Sequence, residues 1–375
     1  KYHGLSDATT YLQASADASE ELVNNNALHS NYAEVFNSTS LAGVPGIFLY
    51  RQFEFGQLGH SLTTRYRNSS GQWDFTKKGA DMFLYQDGTP VKAKTNWSTL
   101  EQDPYTEFRD RDTRMYVNIT PPYEVNRGSS RLTFEFTNEP GDREYIDLLA
   151  TMFDPEIHSL PVANWNGFVV FNSPHFRKFN KGQGFTVTES GYQLFKYYNL
   201  HSTGAQHNDA SDLPLFRLGE TMVNYAEAKY ELGEFDQSVA DATINKLRAR
   251  GNVAPLNIAN IIEDPDRDPE ITPELWEIRR ERAVEMAGDS FRWNDLRRWK
   301  KVGDYATSEK QVGRWITAAS TNNRIPIVGG GTEGYIRLDS YRTPPVPFED
   351  YMYLYPIPSN ETFQNPQLSQ NPGWE

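Results

Sequence analysis

Phe216-Arg-Leu-Gly-Glu-Thr-Met-Val-Asn-Tyr-Ala-Glu-Ala-Lys-Tyr-Glu-Leu-Gly233 is the stretch on which the fold turns. Leu218, Met222, Tyr225 and Leu232 recur at helical spacing, in a periodicity that opens at Leu215 and that Gly233 breaks. A second helix is expected from Phe235, with Ala240, Ile244 and Leu247 together and a stop at Gly251. Small Ala226, Gly233 at the turn, aromatic Phe235 and small Ser238 and Ala242 give the pair tetratricopeptide-like spacing. One such unit cannot bury its own face, so it must stack on other helices. Asp7 can cap a first candidate from Ala8 to about Asn24, whose stripe Ala8, Tyr11, Ser15, Ala18 and Leu22 is expected to pack.

Working outward, Thr272-Pro273-Glu274 reads as a helix start: a cap, a proline in the first turn and an acid at the positive dipole end. That helix is expected to reach Ala287 before Gly288, with a short partner from Phe291 to Lys301. Beyond Gly303 the prolines from Pro344 to Pro372 forbid long helices. Upstream, from Tyr32 to Gly204, the pattern changes. Short pieces such as Ile47–Tyr50, Met115–Ile119, Leu132–Phe136, Phe168–Phe171 and Phe185–Thr188 alternate with Gly, Pro and Asn clusters. These read as short strands and ordered loops.

The totals agree with a folded, loop-rich chain. Its 375 residues can bury a large core; apolar content is only 38%, aromatics reach 13%, and 26 glycines with 22 prolines supply the loops. No run of eighteen apolar residues offers a membrane-crossing helix. A net charge of −13 argues against a nucleic-acid or anionic-lipid footprint and favours solubility. With no cysteine, disulfides, thiolate metal sites and a cysteine nucleophile are excluded.

Several clusters admit two readings. Arg279-Arg-Glu-Arg282 with Glu285, Arg292, Asp295 and Arg297 could hold an anion; an ion-pair network locking two helices is the favoured alternative. Gly329-Gly-Gly-Thr-Glu-Gly334 has dinucleotide-loop spacing, but the extended Tyr335-Ile-Arg-Leu that follows makes it a plain loop. Asp264, Asp266 and Asp268 suggest calcium, yet Pro269 and Leu275 stand where a calcium loop needs Gly and Glu, so a solvated acidic loop is expected. His201 and His207 with Asn208 and Asp209 lack a fixed metal geometry. Asp103, Glu107, Asp110 and Asp112 keep a glycoside hydrolase open as an alternative, because its two carboxylates are paired only in space.

Trp73, Trp97 and Trp165 sit among small polar residues rather than in apolar stripes, with Tyr105 and Tyr123 flanking the same region. Flat rings in loops can stack on the C–H faces of sugars while amides, carboxylates and arginines bind the hydroxyls. The competing reading is an anchor that packs its own loop. Trp276, Trp293, Trp299 and Trp315 lie on or near helices, where core packing is the expectation.

In order and spacing, Phe216–Gly233, Ile278–Trp299, Tyr355-Pro-Ile-Pro358 and Asn365–Trp374 resemble the C-terminal half of the SusD/RagB family. Tyr32-Ala-Glu-Val-Phe36, Ile47-Phe-Leu49, Phe108–Met115 and Phe195-Lys-Tyr197 resemble its middle more loosely, with Thr113 in place of a family proline. The resemblance implies a mainly α, SusD-like fold in which tetratricopeptide-like helix pairs support a large loop-rich lobe containing short strands. On it the chain divides into a helix over residues 1–31, an aromatic-rich lobe over 32–214, a helix pair and following helices over 215–301, and a loop-rich tail over 302–375. It makes the charged motif and the Phe108–Arg114 element structural.

It also implies a binding protein and not an enzyme: capture of an oligosaccharide or polysaccharide at the outer face of the outer membrane, for a SusC-like TonB-dependent transporter, with no cofactor or metal. Glycan-contacting residues would be Trp73, Trp97, Trp165, Tyr105 and Tyr123. Some relatives handle peptides, which is the main alternative ligand. Members normally carry a lipidated N-terminal cysteine behind a signal peptide and a further helical segment upstream. The chain opens on Lys1-Tyr2-His3, so it is expected to lack the family's N-terminal portion and, with it, the lipid anchor.

Overall fold

The computed structural model describes residues 7–62, 73–122, 125–127, 134–136, 140–152, 164–165, 168–169, 188, 190–197, 207–305, 311–317, 326–338 and 347–374. Helix α1 (Ala8–Asn25) begins where Asp7 Oδ1 accepts from the Thr9 amide at 3.2 Å. Its buried face is not the expected stripe. Tyr11 is 59% exposed, while Ala16, Ser19 and Val23, one residue further round, are buried against Leu218, Met222 and Val223. With small residues on both sides, sequence alone does not choose between faces one residue, or 100°, apart; Leu12 and Val23 decide it by meeting the neighbouring helix.

Strand β1 (Ile47–Arg51) leads out of this helical part, and the chain returns through β6 (Leu213–Arg217). The two pair antiparallel, Ile47 opposite Arg217 and Arg51 opposite Leu213, so one ladder closes the base of the intervening lobe. Within the lobe lie α2 (Lys77–Asp81), α3 (Thr113–Asn118), the hairpin β2 (Val125–Arg127) with β3 (Phe134–Phe136), α4 (Pro140–Met152), and the short ladder β4 (Asn164–Trp165) with β5 (Phe168–Val169).

Two readings change here. The segment Met115–Ile119, expected to be extended, falls mostly in α3: Asp112 Oδ1 caps it by accepting from Arg114 N at 2.9 Å, and a short apolar run buried all round carries no period. α4 was expected to be loop; Tyr145, Ile146 and Leu149 place its buried side at helical spacing.

The helical part resumes with α5 (Leu218–Glu231), later than the expected Leu215 because residues 213–217 belong to the ladder. Gly233 ends it at φ 77°, in the left-handed region that favours glycine. The second helix is two, α6 (Gln237–Ala242) and α7 (Ile244–Arg250), broken at Thr243, whose hydroxyl donates back to Val239 O at 2.6 Å. Helix α8 (Pro273–Glu285) is capped by Thr272, and α9 (Arg292–Arg298) turns back from it. The strands β7 (Val312–Ile316) and β8 (Gly334–Arg337) pair antiparallel, so the residues after the Gly-rich loop are extended, as read. The described residues are mainly α-helical, with four short two-stranded ladders.

The largest apolar cluster lies where lobe and helices meet, from Tyr32 and Phe36 through Phe83, Phe108 and Tyr192 to Trp276. Beside it α8 buries charge. Glu277, Arg280, Glu281, Arg282 and Glu285 are all buried. Glu285 accepts from Arg114 of α3 at 3.3 Å, from Arg250 of α7 at 2.5 Å, and from Arg217 of β6. Burial alone would raise its pKa, but Arg250, Arg217 and Arg114 together hold it well below the ordinary range. Gly219 sits against this carboxylate: an added Cβ would collide with Glu285 Oε1. The network reading of the motif therefore holds for Arg280, Glu281, Arg282, Glu285 and Asp295.

The acidic loop is not solvated as expected. Asp264 is buried and accepts from Trp276 Nε1 at 2.9 Å and from Arg280; Asp268 forms an ion pair with Lys301 at 2.8 Å and Asp266 with Lys92 at 2.8 Å. Alternating carboxylates here answer alternating cations across the fold.

Candidate functional site

Residues Trp73–Phe75 run along 192–194 as a short backbone ladder: the Leu194 amide donates to Trp73 O at 3.1 Å and the Phe75 amide to Tyr192 O at 2.9 Å. Asp74 Oδ2 fixes the turn by accepting from Thr188 Oγ1 at 2.8 Å and Ser190 N at 3.1 Å. Thr76 then caps α2. This held backbone leaves the Trp73 side chain 52% exposed.

Immediately after Trp73, Asp74 and Phe75 form one wall of a cavity of about 310 Å³ that opens between α2 and the α8–α9 corner. That volume lies at the lower end of small-ligand sites. Lys78 and Met82 continue this wall, and Arg292, Trp293 and Tyr305 face them. Trp293, expected in the core, is 42% exposed because α9 turns it outward toward this opening. Lys78 also lines a smaller cleft with Lys92 and Asp266. Lys92 Nζ lies 5.4 Å from the ring centroid of half-buried Trp97, which does not itself line that cleft.

The cations of the cavity differ in their surroundings. Arg282 is matched by Asp295 at 2.7 Å and Asn224 at 2.7 Å. Lys78 and Arg292 have no carboxylate within ion-pair distance among the described residues, and rest on aromatic rings. Burial pushes the Lys78 ammonium pKa below its ordinary value, and nearby Arg292 adds to the effect against Asp266. Behind α2, Lys77 is fully engaged with Asp81 at 2.5 Å, Glu101 at 3.3 Å and Glu107 at 3.5 Å. Burial pushes the Glu101 carboxyl up despite Lys77 and the Tyr335 hydroxyl, which donates to it at 2.7 Å.

The other residues singled out in the sequence fall elsewhere. Tyr105 is half-buried, packs on the main core and stacks 6.0 Å from Tyr145, whose hydroxyl donates to Tyr105 O; it is a wall of the core. Trp165 belongs to the β4–β5 ladder, and its side chain, like Tyr123, lies outside the described residues. Among the described residues no direct contact joins Trp73 to Trp97. Sequence reasoning passed over Lys78 and Trp293. One signal was available: residues 279–298 hold six arginines against the four acids Glu281, Glu285, Asp289 and Asp295, so not every arginine can be matched within the motif.

The candidate carboxylates of a hydrolase are engaged in structure. Asp103 caps the turn Pro104–Phe108, Glu107 accepts from the Tyr192 hydroxyl at 2.5 Å, and Asp112 pairs with Arg114 at 2.7 Å. The exception is Asp110, in the left-handed region at φ 56° with its carbonyl accepting from Gln86 N at 2.7 Å.

The sequence profile of the SusD family matches residues 49–374, most of the chain. The chain belongs to the SusD family. Among solved structures, this SusD-family chain is similar to a SusD-like carbohydrate binding protein from Bacteroides fragilis, 19% identical, with TM-score 0.57 over 96% of this chain and 61% of that one. A second SusD-like protein from the same species is 19% identical with TM-score 0.56, over 97% and 65%. The chain thus spans about three-fifths of the length of these structures. At such identities the likeness is one of fold. No curated protein matches the chain.

Proposed function

We propose that this SusD-family chain captures an oligosaccharide or polysaccharide at the outer face of the outer membrane, where a lipid anchor holds the full-length protein, and delivers it to a SusC-like TonB-dependent transporter. The observation that carries the binding half is Trp73, a half-exposed indole on a pinned backbone beside a cavity whose other rim holds exposed Trp293. Rigid rings give a sugar a large contact area with little side-chain entropy to lose. The structurally similar B. fragilis protein is a SusD-like carbohydrate binding protein, which supports the same ligand class. Trp97, Trp165, Tyr105 and Tyr123 are retained as candidate contacts. Of these, Tyr105 is the weakest, since its ring is committed to the core.

In this reading Trp73 and Trp293 hold the ring faces of the glycan, and polar groups of the cavity bind its hydroxyls; no bond is made or broken. The test is affinity electrophoresis through gels containing individual polysaccharides, with Trp73→Ala, Trp97→Ala and Trp165→Ala alongside and the glycan checked for cleavage. Retardation by a glycan, lost in at least one variant and without cleavage, is the expected result. Failure of every glycan to retard the chain, with peptides bound instead, overturns it.

A further inference from the structure

Ion pairing accounts for the buried cations around α8: Arg280 with Asp264, Arg282 with Asp295, and Lys92 with Asp266. Lys78, Arg292 and Arg279 are left over. Lys78 Nζ stands 4.0 Å from the Tyr305 ring centroid and Arg292 Cζ 5.9 Å from the same ring, so the two charges lie within about 10 Å of each other. Arg292 Cζ is also 5.6 Å from the Trp299 ring, and Arg279 Cζ is 4.3 Å from it. Arg279 Nε is buried with no acceptor. Three like charges thus share one aromatic floor, and two of them, Lys78 and Arg292, line the 310 Å³ cavity. The acids on its wall are engaged: Asp295 accepts from Arg282 at 2.7 Å and Arg298 at 2.9 Å, and Asp74 accepts from Thr188 and Ser190.

Aromatic faces attract cations but do not neutralise them. A half-buried pair of cations with no carboxylate in ion-pair contact, Asp266 and Asp295 acting on them only from further off, is offset best by an anion that accepts charge-assisted hydrogen bonds from both. A neutral sugar hydroxyl accepts a bond and leaves the charge unmatched. The chain's net charge of −13 does not oppose this, because screening limits surface charges to a reach of about 8–10 Å.

We propose that this cavity binds the anionic substituent of an acidic glycan, a carboxylate or sulfate ester, with Lys78 and Arg292 as its counter-charges and the sugar rings passing over Trp293 and Trp73. This deepens the glycan-capture reading and rests on it.

The test is affinity electrophoresis and calorimetry of the full chain against polygalacturonate, chondroitin sulfate and neutral laminarin, with Lys78→Gln, Arg292→Gln, the double variant and the charge-keeping Lys78→Arg. Unchanged circular dichroism and melting temperature identify variants that fold. Wild type should bind at least one acidic glycan, about tenfold to a hundredfold more tightly than the double variant, the loss expected for removing charged hydrogen-bond partners. Lys78→Arg should retain binding, and 0.5 M salt should weaken it. Binding of polygalacturonate shows that a carboxylate suffices; binding of chondroitin sulfate, which carries both groups, with polygalacturonate bound no better than laminarin assigns the site to the sulfate ester. Binding of laminarin alone overturns the acidic-ligand inference and leaves glycan capture standing. Acidic glycan bound equally by the double variant places the anion elsewhere and also overturns it. Binding of none of the three in wild type overturns the acidic-ligand inference and leaves glycan capture to the full polysaccharide panel above.

Discussion

Replacing Glu285 by Gln should loosen the whole chain, and the structure gives the size of the effect. The side chain is fully buried and faces three guanidiniums. Two keep other partners after the change: Arg217 retains Asp289 at 2.7 Å, and Arg114 retains Asp112 at 2.7 Å and Glu281 at 2.6 Å. Arg250 does not. Its remaining contacts are a 3.5 Å bond to His29 O and the face of Tyr32 at 4.9 Å. Breaking a buried pair by removing one partner costs about 3–5 kcal/mol. Against a total stability of roughly 5–15 kcal/mol, that is about a fifth or more of it for a typical domain. Urea unfolding followed by tryptophan fluorescence at pH 7 measures the difference.

The pH dependence supplies a second, independent check. Because the folded pKa of Glu285 is depressed, its contribution is complete above the unfolded carboxyl value of about 4.3 and is lost as pH falls toward the folded one. Wild type and Glu285→Gln should therefore converge below about pH 5. A cost under about 1 kcal/mol at pH 7, or a gap that stays constant on acidification, would refute the account of this hub.

Gly219→Ala pushes a methyl into the same carboxylate and should cost about 1–3 kcal/mol, read as a lowered urea midpoint. Glu101→Gln should act in the opposite sense. The raised pKa means the folded state favours the protonated acid, so the stability it lends is present at low pH and lost as pH rises; at pH 7 the amide should melt higher than wild type, and the gain should vanish near pH 4. Trp73→Ala should weaken glycan binding about tenfold or more while leaving the melting temperature unchanged, since the half-exposed ring contributes little to the core.

The helical frame was legible because its signals are local. Asp7 and Thr272 as caps, Gly233 and Gly251 as stops, and the period through Leu218 and Met222 all act within a few residues. What was misread depends on distant partners. The packed face of α1 is chosen by α5, some two hundred residues later, and the run Met115–Ile119 is helical because Asp112 caps it and all sides are buried. Asp264 and Asp268 looked solvated because Arg280 and Lys301, which bury them, approach only in the fold. The same limit applies to the cavity. Trp73 was marked by its polar neighbours, whereas Lys78 and Trp293 become site residues only when α2 and α9 face each other.

The closure of β1 on β6 bears on how such a protein diversifies. Both ends of the lobe are fastened in one short ladder, and α3 is fastened again through Arg114 to Glu281 and Glu285. Changes confined to exposed loop tips between these fastenings leave the helical frame in register, whereas Lys92, which reaches Asp266, and Lys196, which reaches Asp289, tie further points of the lobe to it. Loop segments carrying the rings could then be grafted from one member to another, changing what is recognised without re-founding the scaffold. What such a graft must leave in place are Glu281 and Glu285 of α8 with Arg114, Arg217 and Arg250, while the aromatic tips are free to be exchanged singly.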